Sequence, residues 1–151
     1  MLHTKVGPTD FQDCQDLKAL VEISGALRRA LAETDDCQSP RPWAGLHGLA
    51  KLLVHACQRH IEVVEAEGGF LADIERRLDR PQALVLMREI HRKLLEDAQA
   101  VERRLREQPA DSTRRSCLRQ MVRQFHEDME NHEKLEIDLI QETFRDVGEG
   151  D

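Results

Sequence analysis

Apolar residues recur at alternating spacings of three and four in four stretches of the chain. The first stripe is Leu17, Leu20, Ser24, Leu27 and Leu31. The second is Leu46, Ala50, Leu53, Cys57, His60 and Val64. The third runs through Leu84, Met87, His91, Leu94, Ala98, Val101 and Leu105. The fourth is Leu118, Val122, Phe125, Met129, His132, Glu136 and Leu139. Residues spaced in this way share one face of an α-helix, and the charged positions between them fall on the opposite face. The pattern therefore predicts four amphipathic helices, each with one side turned to a common core.

Proline divides the chain at positions consistent with this reading. Pro8, Pro40, Pro42, Pro81 and Pro109 mark breaks, because proline lacks the backbone donor that a helix interior needs. The segments left between them are 9–38, 43–80, 82–108 and 110–146. Leu, Ala, Glu, Arg and Gln, all good helix formers, dominate each one. Thr9-Asp-Phe-Gln12 reads as a capping box for the first helix. Residues 34–42 form the one long linker. The connections at 79–81 and 109–112 are short, which favours antiparallel neighbours. Gly68-Gly69 predicts a kink or an end within the second segment. The expected fold is all-α: one domain over residues 1–151, an antiparallel up-down-up-down four-helix bundle. A short extension (1–8) precedes it and an acidic tail (146–151) follows.

Composition narrows the alternatives. The 151 residues are 40% hydrophobic and 34% charged, enough to fill a core and cover it. Only 3% are aromatic and none is Tyr, which argues against a β-sandwich and excludes a mechanism needing a protein tyrosine. The net charge is −7, and residues 127–151 hold ten acidic against two basic side chains. So acidic a segment repels phosphate backbones, and no nucleic-acid partner is expected. No apolar run is long enough for a membrane span, and the first residues lack the apolar centre of a signal peptide. The reading is a cytoplasmic protein. Cys14, Cys37, Cys57 and Cys117 form no zinc-ribbon spacing and are expected as reduced thiols, with Cys57 and Cys117 facing the core.

The seven histidines divide into two groups. His3, His47, His55 and His126 fall at the frayed start or off the apolar stripes and are expected at the surface or its boundary. His60, His91 and His132 lie mid-stripe on three different helices, and Glu136 follows His132 by one turn. A buried imidazole needs hydrogen-bond partners and a buried carboxylate needs neutralising. Inward-facing on three helices, these four side chains can converge, and three neutral imidazoles with one carboxylate suit Zn, Fe or Mn. The competing reading is a core His–Glu hydrogen-bond cluster without metal.

Three stretches carry a resemblance to a known family. They are His60-Ile-Glu-Val-Val-Glu65-Ala-Glu67-Gly-Gly, Arg88-Glu-Ile-His91-Arg-Lys-Leu94 and His132-Glu-Lys-Leu-Glu136. In this order, on predicted core faces across residues 10–146, they resemble the hemerythrin-like (HHE cation-binding) family. The resemblance implies a four-helix bundle holding non-heme iron, often as a di-iron site. It implies His60, His91, His132 and Glu136 as metal ligands, and a role in binding dioxygen or in nitric oxide, redox or iron-related responses. The ligand set is reduced relative to the family pattern. Ser24 stands where the first-helix His is usual, Val64 where an acid would follow His60 by four, and Leu95 where a second His would follow His91. Glu65 and Glu67 are candidates for a bridging or outer group if the Gly68-Gly69 bend turns the helix end inward.

The expectation is thus a protein binding one or two metal ions, iron first and zinc or manganese as alternatives. It would sense, bind or detoxify dioxygen, nitric oxide or peroxide. Enzymatic turnover and a homodimer are left open. The rival is a metal-free helical bundle acting as an interaction module or dimer.

Overall fold

The computed structural model describes residues 8–34, 41–107 and 111–149, and side chains within 17–34, 43–107 and 111–143 together with that of Arg145. The proposed capping box at Thr9–Gln12, the side chains of His3, Cys14 and Cys37, most of the linker and the tail side chains lie outside those described. The described residues are all-helical, with no strand among them. Four long helices, α1 (Pro8–Glu33), α2 (Arg41–Glu65), α4 (Pro81–Arg106) and α5 (Ser112–Glu149), are joined by a short one, α3 (Phe70–Arg77).

Pro8, Pro42 and Pro81 sit inside the first turn of a helix rather than between helices. There the missing N–H has no partner to lose and the fixed φ suits the helix, so these prolines start helices. Asp111 caps α5, its carboxylate accepting from the Arg114 N–H at 2.8 Å. Arg103, Arg104 and Arg106 crowd the last turn of α4, where positive charge opposes the helix dipole.

The segment 43–80, expected as one helix with a kink or an end, is two. Gly68 takes φ +80°, a left-handed conformation that Gly adopts at little cost. Gly69 then passes directly beneath the end of α2. A Cβ there would stand 2.5 Å from the Val63 carbonyl oxygen and 2.9 Å from that of Val64. The chain turns sharply and lays Phe70, Leu71 and Ile74 of α3 into the core.

Each long helix packs on two others: α1 on α2 and α5, and α4 on α2 and α5. Every residue of the four predicted stripes is buried. The apolar core has two parts. One joins Leu27, Leu31, Trp43, Leu46, Val101, Leu105 and Leu118 with their neighbours. The other joins Val64, the α3 residues, Leu84, Met87 and Leu139. His60, His91, His132 and Glu136 belong to neither apolar part. Among the described residues no helix is long and apolar enough to cross a membrane.

Cys117, expected at the core, is exposed, whereas Cys57 is buried. Cys117 directly precedes Leu118. One residue turns a side chain by about 100° around a helix, enough to take the thiol off the stripe that Leu118 occupies.

Candidate metal centre

His60 comes from the last two turns of α2, His91 from the middle of α4, and His132 and Glu136 from successive turns of α5. Each is placed by apolar neighbours one turn away: Cys57 and Val64 around His60, Met87 and Leu94 around His91, Met129 and Leu139 around the α5 pair. The helices bury these apolar residues and carry the polar ones inward with them. All four polar side chains are at most 2% exposed.

Their donor atoms meet at one place. His132 Nε2 lies 2.8 Å and His60 Nε2 3.1 Å from Glu136 Oε2. His91 Nε2 is 2.9 Å from His132 Nε2 and 4.0 Å from the same carboxylate oxygen. One ligand atom from each of the four residues falls within 4.8 Å of every other. The rings stand edge to face, at 85° and 88° for His60 against His91 and His132, and at 70° for the remaining pair. The rings do not stack, and their Nε2 atoms gather beside the Glu136 carboxylate.

The electrostatics follow from this packing. Burial pushes the Glu136 carboxyl up, but the imidazoles of His132 and His60, in close contact with it, and of His91 nearby outweigh this and hold the group well below the usual carboxylate range. Burial pulls His132 down, against the hydrogen bond it donates to Glu136, which raises it. Glu136 is therefore held toward its ionised form and His132 toward its neutral form, the forms in which these side chains bind metal.

Protons alone do not satisfy this arrangement. His132 Nε2 makes two short contacts, to Glu136 and to His91, and carries at most one hydrogen. If that hydrogen goes to Glu136, the contact with His91 has none of its own. If His91 supplies one instead, His132 faces the carboxylate with a lone pair. Nδ1 of all three rings is buried without a hydrogen-bond partner. A cation at the common point uses every convergent lone pair at once. For metal–ligand bonds of about 2.1 Å, neighbouring ligand atoms stand roughly 3–4 Å apart, and the separations of 2.8, 2.9 and 3.1 Å at Glu136 and His132 lie at the short end of this scale. The residues thus fit a metal ion, and this fit rests on their donor chemistry.

The remaining expected ligands stand apart. Glu65, the last residue of α2, is partly exposed; its carboxylate lies 3.9 Å from His91 Nδ1 and 3.9 Å from Arg88 Nε. Glu67 is exposed, beyond the end of α2, and outside the group of four. Ser24 is buried, donating to the Val21 carbonyl at 3.0 Å and sitting 2.7 Å from His126 Nδ1. His47 pairs with Glu102 at 2.7 Å, and His55 is exposed. Neither the Ser24–His126 nor the His47–Glu102 pairing could be foreseen from one stripe, because each joins flanks of two helices.

The space enclosed beside the cluster is small and apolar. A void of about 10 Å³ lies against the three imidazoles, bounded by Leu20, Cys57, Leu94 and Met129 among others. From outside, a groove of about 320 Å³ between α4 and α5 reaches His132, lined also by Ile90, Leu94, Asn131 and Leu135.

Comparison with protein-family models, with characterised proteins and with solved structures finds no match to this chain.

Proposed function

We propose that this chain is a metal-binding four-helix bundle of hemerythrin-like type, with His60, His91, His132 and Glu136 holding one ion. The observation that carries the reading is the convergence of three Nε2 atoms and one carboxylate oxygen from three helices within 4.8 Å. The positions where a second ion would find ligands in the family pattern are Ser24, Val64 and Leu95 here, which favours a single ion. Helix directions alternate up and down. Support comes from the ends that share a core: the end of α1, the start of α2, the end of α4 and the start of α5 pack together, while the end of α2, the start of α4 and the end of α5 meet α3.

Iron is the proposed metal, since imidazole and carboxylate ligands permit both ferrous and ferric states and leave coordination positions for dioxygen, nitric oxide or peroxide. The protein's own residues do the rest. Glu136 supplies negative charge and is kept ionised by its histidine partners. His60, His91 and His132 offer imidazole nitrogen. The apolar collar of Leu20, Leu94 and Met129 limits water, and the void beside it suits a ligand of very few atoms. Such a centre senses, stores or removes a small ligand of this kind.

Elemental analysis of protein purified without a metal-affinity tag, followed by anaerobic loading with Fe(II), tests the reading. Uptake near one equivalent is expected. Retention below about a tenth of an equivalent would overturn it in favour of a metal-free bundle acting as an interaction module.

A further inference from the structure

Glu65 stands at the junction of two helices with a choice of two partners. Its carboxylate is 3.9 Å from Arg88 Nε on one side and 3.9 Å from His91 Nδ1 on the other, longer than a hydrogen bond in both directions. Glu65 and Arg88 reach solvent, whereas His91 is buried with Nδ1 unpartnered. A buried ring nitrogen without a partner is costly, and Glu65 is the one carboxylate that an ion-pair distance connects to it among the described residues. Glu136, the other carboxylate near this ring, faces its Nε2 edge.

We propose that Glu65 is a positioning residue for the centre: it accepts a hydrogen bond from His91 Nδ1–H, and Arg88 competes for the same carboxylate. The inference rests on the metal-site reading above. A proton held on Nδ1 leaves Nε2 as a lone pair aimed at the cluster, the tautomer a metal ligand requires. When Arg88 holds Glu65, the ring loses that bias and Nε2 takes up the proton more often. Arg88 is thus a brake on ligation that acts through Glu65, and it connects the exposed surface of α4 to the buried centre. The sequence names Glu65 as a candidate bridging or outer group, but that it approaches His91 depends on how the end of α2 meets α4, which spacing along α2 does not encode.

The test uses the whole chain with Glu65→Met and Arg88→Met, which keep side-chain length and remove the acceptor or the competitor. Co(II) titration followed by absorbance should show about tenfold weaker binding in Glu65→Met, in the range found for loss of such outer partners. Arg88→Met should bind severalfold more tightly than the parent. Opposite signs are the signature of competition. A purely structural Glu65–Arg88 ion pair is lost equally in both variants, so equal effects, or none, overturn the proposal. Nitrogen-15 NMR of the metal-free protein supplies a second readout. The parent should hold the His91 proton mainly on Nδ1, and Glu65→Met should move it toward Nε2. An unchanged tautomer in Glu65→Met overturns the proposal. If the parent takes up no Co(II), the metal reading is what fails, and the tautomer comparison alone then upholds or overturns the role of Glu65.

Discussion

His91 and His132, 41 residues apart in the chain, bring their Nε2 atoms to 2.9 Å inside the protein. Two neutral imidazoles at this distance share one hydrogen at best, and here the nearer claim on it belongs to Glu136. Helix packing enforces the contact, since Leu94 and Met129 are buried beside it.

Removing either ring should remove metal binding. His91→Ala and His132→Ala are expected to lose Fe(II) or Co(II) uptake, because the remaining ligands no longer enclose the ion. His55→Ala and His126→Ala should bind as the parent does, since His55 is exposed and His126 turns to Ser24. Calorimetric titration of the four variants checks the contrast.

The metal-free protein should become more stable when the whole cluster is made apolar. Breaking it in one place is different. His60→Leu leaves Glu136 with one fewer partner and should cost about 3 kcal/mol, because a buried charge loses compensation. Replacing His60, His91 and Glu136 by Leu and His132 by Met removes the charge as well, and should gain roughly 1–4 kcal/mol over the parent. Urea unfolding of the metal-free proteins measures both. A quadruple variant less stable than His60→Leu would contradict the account.

This relationship also explains how much of the molecule was legible in its sequence. The core positions could be read because helical periodicity is local: each stripe residue, including Ser24, His60, His91, His132 and Glu136, is buried as its spacing requires. The four-residue cluster was legible for the same reason, since a polar group on an apolar stripe has nowhere to go but inward. What escaped depends on geometry between helices. Glu65 approaches His91 because α2 ends beside α4, which no spacing within α2 encodes. Helix α3 escaped because a kink and a full stop look alike at Gly68-Gly69 until the turn is built. Cys117 was misplaced by one position next to a true core residue, Leu118.

Acid should destabilise the metal-free fold in two stages. His132 is held below its ordinary value of 6.5 by burial, so the unfolded chain binds its proton first. Its contribution is complete above 6.5 and is lost as pH falls from there toward the folded value. Glu136 is likewise held below its ordinary value of 4.5; its contribution is complete above that value and is lost on further acidification through its folded value. Both signs agree, so urea midpoints should be flat from pH 8 to about 7, decline below about 6.5 and fall further below about 4.5. A midpoint that rises on acidification would contradict the assignment of a neutral His132 beside an ionised Glu136.

Two thiols should differ sharply in reactivity. Burial raises the Cys57 thiol to about 12, and its side chain is enclosed, whereas Cys117 is exposed. The thiolate is the reactive form, so iodoacetamide at pH 8 should label Cys117 and spare Cys57 in the native protein. Peptide mapping by mass spectrometry reads each site separately, and labelling of both in urea provides the control.

The turn beneath α2 makes the last prediction, and it joins fold to site. At Gly69 an added Cβ meets three backbone carbonyl oxygens, those of Val63, Val64 and Ala66, at 2.5, 2.9 and 3.0 Å. Backbone cannot swing aside as a flexible side chain does, so Gly69→Ala must open the turn, at a cost of roughly 1–3 kcal/mol. The strain falls on the last turn of α2, which carries Glu65 and lies one turn beyond His60. Metal affinity should therefore fall together with stability. Gly45 lies early in the same helix, and an added Cβ there meets nothing within 4 Å. Gly45→Ala should stabilise the protein by about 0.5–1 kcal/mol through helix propensity and leave metal binding unchanged. Urea unfolding and Co(II) titration of the two variants side by side separate a change in helix propensity from a change in the geometry that holds His60 in place.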